Sequence, residues 1–332
     1  MTTSSKPTSQ QRESSLKSKY LAALPDEVRT RVFEVTSQLA RPLGEWVARH
    51  PLMRPVRVPQ ICLTLAVPDP YCDVAALQPA VRLVAWIFAV DDLTDEGNVS
   101  PDEVWARLER CLQRLESAQA PGEAEDPLYQ GLWEIREDVA RLPLFSALRK
   151  DWERSLRQLV DSMRREHQWS TRYREFPEQP LPTYSEYVEN GRCSVGVLPI
   201  FLSAFMAVGK PEMLARLPAL FVLEQQAASC IRLANDLRSY EKEMAEGKLN
   251  SIVLVRRELA QREGLSEAAA LERAVAFTRE RIKEGLAQCE VLARAEGNPP
   301  GWAELFLIRI AGFSCDFYTH HDYHHSLTRE NG

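Results

Sequence analysis

The sequence predicts an all-α protein built as one domain, and three observations carry that expectation. Apolar residues recur at helical spacing along most of the chain. The joints between these stretches are short and marked by proline or glycine. No βαβ alternation, Gly-rich phosphate loop or internal repeat interrupts them. With 332 residues, 45% of them hydrophobic, the chain can bury a substantial core.

Taken in order, residues 1–18 are polar, lack the apolar stretch of a secretory leader, and read as a disordered tail. The domain is assigned to 19–326 and a short C-terminal tail to 327–332. Residues 51–70 hold five prolines (Pro51, Pro55, Pro59, Pro68, Pro70) and read as an irregular connection. Residues 80–92 show no strand-like alternation within a long apolar stretch, which predicts a buried helix. Residues 101–118 open on Pro101-Asp102-Glu103, a good helix start, and repeat apolar residues at Val104, Leu108, Cys111 and Leu115. Further helices are predicted over 129–141, 144–168, 183–206, 211–245, 251–262, 266–294 and 301–319, with turns at Pro121-Gly122, 177–182, 209–211 and 297–301.

Composition excludes several function classes. A formal net charge of −6 is wrong for a nucleic-acid binder, which needs a basic surface for phosphates. No run of about 18 apolar residues is found, so no membrane span is expected. Seven scattered cysteines without a CxxC pair read as free thiols in a reducing, cytoplasmic setting.

Two oxygen-rich constellations stand out. The first, Asp91-Asp92-Leu93-Thr94-Asp95-Glu96, ends the very apolar predicted helix, where a helix C-terminus disfavours negative charge. Asp91 and Asp95 share one helical face, and a cluster placed there calls for a cation such as Mg²⁺. Alone, it reads equally well as a solvated acidic cap. The second is Asn235-Asp236-Leu237-Arg238-Ser239-Tyr240-Glu241-Lys242-Glu243. Asn235, Ser239 and Glu243 follow at i, i+4 and i+8, each step turning the side chain by about 40°, so three oxygen ligands stack along one face. Amide, hydroxyl and carboxylate oxygens suit Mg²⁺ better than zinc. The bland alternative is the polar face of an amphipathic helix, but Asn and Ser are mediocre helix formers and need a reason to sit there together.

An aspartate-rich motif followed about 140 residues later by NDxxSxxxE resembles the paired metal motifs of microbial class I terpene synthases. The resemblance implies a helical α-barrel around a central active-site cavity. It implies that Asp91, Asp92, Asp95, Asn235, Ser239 and Glu243 hold three Mg²⁺ ions against the diphosphate of a prenyl substrate. Between the motifs, Tyr187, Arg192 and Gly196 match a family region in which the arginine senses diphosphate and a helix break turns a backbone carbonyl toward the cation. Lys242 stands where the family often has a diphosphate-contacting lysine. Near the C-terminus Tyr323 matches the tyrosine of a family Arg-Tyr pair, but Asp322 replaces the arginine, and Arg309 or a histidine is the candidate substitute. Four of the six histidines cluster at His320, His321, His324 and His325, and this stretch reads as a solvated end segment rather than a metal site.

Phe88 lies one turn before Asp91 and Asp92 and is the best candidate for an aromatic wall beneath the diphosphate. Trp86, Phe201, Phe205, Phe221, Trp302, Phe306 and Phe313 are further candidates, each more ordinarily core. No side-chain base for the final proton loss is evident, and released diphosphate is the candidate. The divergent C-terminal pair points to a C20 substrate, geranylgeranyl diphosphate or a pre-cyclised diphosphate, ahead of farnesyl diphosphate. Homodimers are common in that family, and the sequence leaves the oligomeric state open. The alternatives are a prenyl-chain-elongating synthase, which normally carries two aspartate-rich motifs, and a degenerate, non-catalytic binding protein.

Overall fold

Local signals explain why the chain breaks into helices where it does. In the computed structural model, which describes residues 18–95, 100–122, 125–176, 178–295, 297 and 299–323, thirteen α-helices and no strand occur among the described residues. They are α1 (Lys19–Ala23), α2 (Asp26–Val47), α3 (Val58–Ala66), α4 (Val74–Asp95), α5 (Pro101–Glu116), α6 (Pro127–Ala140) and α7 (Phe145–Glu175), then α8 (Tyr184–Ser194), α9 (Val197–Val208), α10 (Leu217–Ala245), α11 (Ser251–Glu263), α12 (Glu267–Ala295) and α13 (Trp302–Phe317).

Caps set many of the boundaries. Ser100 caps α5 by accepting from the Glu103 N–H, with Pro101 at a position whose missing N–H costs nothing. Thr183 and Glu186 form a reciprocal capping box at the start of α8. The segment 183–206 is two helices: Gly196 adopts φ +72°, which an L side chain resists, and divides α8 from α9.

Two expectations are corrected. Residues 51–70 are largely helical: a 3₁₀ turn over Pro55–Arg57 leads directly into α3. Pro55 and Pro59 occupy first-turn positions, where a missing N–H is no loss, so a proline-rich string is compatible with a helix start. The assignment of Ser18 to the N-terminal tail is the second. Ser18 is buried, caps α1 and donates to Asp316 Oδ2 at 2.7 Å. Residues 1–17 and 324–332, with His324, His325 and the assigned tail 327–332, lie outside the described residues.

Helices α4, α9, α8, α10, α13 and α3 touch in succession and close a ring. Among them α4 carries the first motif and α10 the second. Directions follow from side-chain pairs. Tyr187 meets Asp236, and Gly191 meets Arg232, so α8 runs antiparallel to α10. Arg216 pairs with Glu304, and Cys230 clusters with Cys315, so α13 runs parallel to α10. Where α9 meets α13 the ring is plugged by Phe201, Phe205, Trp302 and Phe306, with centroid separations of 5.4 to 6.4 Å. These four form an aromatic floor opposite the motif-bearing end. Trp86 lies elsewhere, in the core, donating its indole N–H to the Leu128 carbonyl.

Two segments, Val74–Thr94 and Tyr184–Val208, are by length and composition long and apolar enough to cross a membrane, contrary to the expectation of no such run. In the fold 67% of each most apolar window is buried, as befits helices of the inner wall. All seven cysteines are free thiols.

Candidate active site

At the C-terminal turn of α4, Asp92 is buried and its carboxylate is gripped by two arginines. Arg57 donates to both oxygens, at 2.8 and 2.7 Å, and Arg54 Nε lies 2.8 Å from Oδ2. Arg57 also donates to the carbonyls of Phe88 (3.1 Å) and Tyr323 (3.0 Å) and stacks over the Phe88 ring at 4.8 Å. Phe88 in turn lies against the Tyr323 ring at 4.7 Å, and the Tyr323 hydroxyl is 2.6 Å from Thr64 Oγ1. One buried guanidinium thus ties the first motif to α3 and to the C-terminal segment. Replacing Arg57 with alanine leaves Asp92 and two carbonyls short of a buried donor. The expected result is faster amide exchange over 318–323 than in the wild type, read by hydrogen–deuterium exchange mass spectrometry; unchanged protection there would contradict this assignment. Asp91 is half-buried on the same turn. Asp95 closes α4, and its side chain and residues 96–99 lie outside the described residues.

Across the ring, Asn235, Ser239 and Glu243 are each half-buried along α10. Ser239 Oγ donates to the Asn235 carbonyl at 2.9 Å, which leaves the hydroxyl lone pairs available as ligands. Asn250, the N-cap of α11, donates to Glu243 Oε2 at 2.7 Å and to the Asp236 carbonyl at 3.1 Å, fixing the Glu243 carboxylate. Burial, and then the charge of Asp236, push the Glu243 carboxyl above its ordinary range. Tyr318, just past α13, joins the two sides: it hydrogen-bonds with Asn235 and feels the charge of Asp91. Tyr318 therefore lies near residues of both motifs.

Behind the second motif lies a buried charged network that the sequence reading did not include. Arg232 reaches Glu166 Oε2 and Asp236 Oδ1, both at 3.0 Å, and hydrogen-bonds the Tyr187 hydroxyl. Glu166 also accepts from Ser194 (2.6 Å) and Asn190 (3.2 Å). Burial opposes charge on Arg232, but Asp236 and Glu166 hold it protonated. A signal was available: an arginine inside the apolar run Cys230-Ile231-Arg232-Leu233-Ala234 is either mispaired or the hub of a network. Tyr187, matched in the sequence to the family region, belongs to this network.

The remaining site candidates are more dispersed. Arg192 pairs with the exposed Glu189 at 3.1 Å, on a groove of about 760 Å³ between α7 and α8 that also takes in Asp161 and Arg165, rather than with either motif. Gly196 lies at the helix break, and a Cβ there would come within 2.8 Å of Ile87 Cδ1, so the break abuts α4 one turn below Asp91. Lys242 is 61% exposed, with Nζ 3.8 Å from Glu246. Seven residues beyond Asn235, it returns to nearly the same helix face about 10 Å further along the axis. Tyr323 is buried against Phe88. Asp322, standing where an arginine was anticipated, lies 3.9 Å from Arg238 of α10, so the cation at this point comes from the second-motif helix. Arg309 does not fill that role: it donates to the Pro68 carbonyl. His320 is exposed, and His321 stacks on Phe317 at 5.4 Å.

One buried acid has no role in either motif. Glu224 of α10 is 3% exposed, and its Oε1 is buried without a hydrogen-bond partner. Burial raises its carboxyl to about 8, while the Arg192 charge pulls the other way. In the unfolded chain the group ionises near 4.5, so between about pH 4.5 and 8 the unfolded state has lost a proton that the folded state keeps. This group therefore erodes stability as pH rises through that window, with no further change above it. Glu224→Gln mimics the protonated form, so its melting temperature should exceed that of the wild type by a margin that grows from pH 5 to pH 8. A margin that is flat with pH would contradict this ionisation.

The donor chemistry fits a hard divalent cation. Asp91, Asn235, Ser239 and Glu243 offer only oxygen, and Asn250 orients one of them. Among the described residues no three His, Cys, Asp or Glu side chains gather closely enough to hold a metal by themselves. Mg²⁺ is usually held by one or two carboxylates, water and substrate phosphate oxygens rather than by an all-protein cage.

Comparison with known proteins gives the family and the fold. The family described as terpene synthase family 2, C-terminal metal binding, matches residues 82–284, a stretch that contains both motifs. The chain is 29% identical over 180 residues to ent-cassa-12,15-diene synthase of Oryza sativa subsp. japonica, covering 50% of this chain and 20% of that protein. It is 30% identical over 245 residues to a dolabradiene synthase of Zea mays, covering 70% of this chain and 27% of that one. The match thus spans about a quarter or less of these longer plant proteins. Among solved structures, linalool/nerolidol synthase of Streptomyces clavuligerus superposes with a TM-score of 0.58 at 17% identity, over 86% of this chain and 94% of that one. The 2-methylisoborneol synthase of Streptomyces coelicolor A3(2), solved with Mg²⁺ and geranyl-S-thiolodiphosphate, gives a TM-score of 0.61 at 20% identity, over 87% and 90%. The fold is the all-α terpenoid synthase fold.

Proposed function

Because the chain belongs to terpene synthase family 2, C-terminal metal binding, we propose that it is a class I terpene cyclase, a carbon–oxygen lyase that ionises a prenyl diphosphate and closes the carbocation into a ring. What supports this reading is that the two oxygen-ligand motifs, Asp91 on α4 and Asn235 on α10, stand on helices of one ring with Tyr318 near both. The plant relatives, named for cassadiene, dolabradiene, beyerene and kaurene products, favour a C20 substrate, linear or pre-cyclised.

In this reading Asp91, Asn235, Ser239 and Glu243 hold Mg²⁺, three ions by resemblance, together with Asp95. Asp92 has acceptor capacity left chiefly on Oδ1, because Arg54 and Arg57 crowd Oδ2. When bound, Mg²⁺ supplies the positive charge that a departing diphosphate needs. The chain's own residues do the rest. Arg238 and Lys242 add cationic charge at the mouth. Among the described residues Arg192 is ion-paired to the exposed Glu189, an interaction of about 0–1 kcal/mol, so turning inward to the diphosphate costs it little. Tyr318 and Tyr323 close the C-terminal segment over the site, and a closed, apolar chamber keeps water from quenching the cation. Phe88 and the floor residues Phe201 and Phe306 present ring faces that stabilise positive charge.

The test is incubation with geranyl, farnesyl and geranylgeranyl diphosphates, each with and without Mg²⁺, followed by gas chromatography–mass spectrometry. A Mg²⁺-dependent cyclic C20 product is expected. Longer prenyl diphosphates formed when isopentenyl diphosphate is added would instead assign the chain to the elongating synthases.

A further inference from the structure

The proposed reaction leaves its proton transfers without a side chain, and Glu224 is placed to make them. Eleven residues separate it from Asn235, about three helical turns plus 20°, so both side chains leave α10 in nearly the same direction, about 16 Å apart along the axis. Ala228 and Ile231 lie between them on that strip. The strip faces the interior of the ring: Arg232 and Asp236, roughly 80–120° to one side, meet α7 and α8, while Cys230 and Ala234, at a similar angle to the other, meet α12 and α13. The antiparallel course of α8 and α9 brings Phe201 close to the level of Glu224, while the parallel course of α13 brings Ile310 there and Phe306 about one turn deeper. Glu224 therefore sits about a turn above the aromatic floor, some three turns of α10 away from Asn235. Apart from the charge of Arg192, its surroundings offer the carboxyl group little: Oε1 is buried without a partner, and no ion pair or hydrogen bond holds the side chain among the described residues. An unpartnered buried acid costs stability, which an apolar residue of similar size would not.

Resting on the cyclase reading, we propose that Glu224 is the proton carrier of the cyclisation. The first carbocation loses a proton to the released diphosphate and becomes an uncharged cyclic alkene. The Glu224 O–H bond then breaks, its proton adds to an alkene carbon, and the C=C electron pair forms the new C–H bond. This leaves a second carbocation and a carboxylate, whose charge the nearby Arg192 favours. The carboxylate removes a proton from the carbon beside the second cation; those C–H electrons form the product double bond and the acid is restored. No oxidant or reductant enters, and the diphosphate departs carrying one proton. The substrate class this implies is a prenyl diphosphate whose product requires a reprotonated neutral intermediate.

The experiment runs the full-length enzyme on geranylgeranyl diphosphate in D₂O with Mg²⁺, scoring deuterium per product by mass spectrometry against diphosphate released. The acid restored in each turnover carries a substrate proton and exchanges it with D₂O when the product leaves, so the wild-type product should carry one deuterium. In Glu224→Gln the label per diphosphate released should fall at least ten-fold, with the uncharged alkene accumulating in place of the final product. Glu224→Asp, which keeps the acid one methylene shorter, should retain part of the label. Unlabelled wild-type product with diphosphate released overturns this inference alone, as does a Gln variant that keeps the label, or Gln and Asp variants that behave alike. No diphosphate release by a folded wild-type enzyme, from any prenyl diphosphate, overturns it together with the cyclase reading.

Discussion

Asn235→Ala should cut Mg²⁺-dependent diphosphate release by about 10²–10³-fold, the cost typical of removing one preorganised electrostatic contact to a leaving group. Asn235 is the second-motif residue that reaches the C-terminal segment. It hydrogen-bonds with Tyr318, which feels the charge of Asp91, and its carbonyl accepts from Ser239. Alanine removes the ligand oxygen and the Tyr318 partner while leaving the carbonyl and the helix in place. Alanine is also the better helix former, so the fold is expected to survive. Circular dichroism and melting temperature close to wild type, with release nearly lost, are the expected pair of results. Release within about two-fold of wild type would remove Asn235 from the site.

The second large effect concerns stability. Arg232→Ala should destabilise the protein by about 3–5 kcal/mol, because Glu166 and Asp236 would each lose the cation that makes their burial tolerable. The loss should appear as a fall in melting temperature on the order of 10 °C. Asp236 is fully buried and Glu166 largely so, which separates this pair from the many exposed helix-surface pairs such as Arg262–Glu258, for which no more than about 0.5 kcal/mol is expected. Glu166→Gln combined with Arg232→Met should recover part of the loss, since replacing both partners is far less costly than stranding one. If the single variant melts within about 2 °C of wild type, the network contributes nothing to the fold and the second motif is positioned by other means.

What could be read from the sequence was local and periodic. The apolar helix ending in Asp91-Asp92, the Asn235, Ser239, Glu243 ladder and the weak point at Gly196 each follow from spacing within a single element. What escaped was the partner of each charge. Arg57 lies 35 residues from Asp92 and 266 from Tyr323, inside a string of prolines that masks a helix start. Glu166 lies 66 residues from Arg232, and Asn250, which fixes Glu243, reads in the sequence only as a helix cap. Periodicity is blind to such pairs because they are made by packing between elements. Arg192 shows the converse: its motif register is clear, yet its guanidinium rests on Glu189 at the outer groove. The resting position of a long, half-exposed side chain depends on rotamer and partner, which a motif does not encode. Glu224 was passed over for another reason, since one acid at the start of a long helix looks like a surface residue until its burial is known.

The account stands or falls on whether this pair of motifs ionises a prenyl diphosphate. The most direct test follows diphosphate release from geranylgeranyl diphosphate by purified protein with and without Mg²⁺, with a pre-cyclised C20 diphosphate run alongside and the organic extract examined for rings. The account predicts release that needs Mg²⁺ and is matched by a cyclic hydrocarbon or alcohol. A folded protein that binds these diphosphates yet releases none, with either substrate and at any Mg²⁺ concentration, would contradict it and leave a helical binding protein in its place.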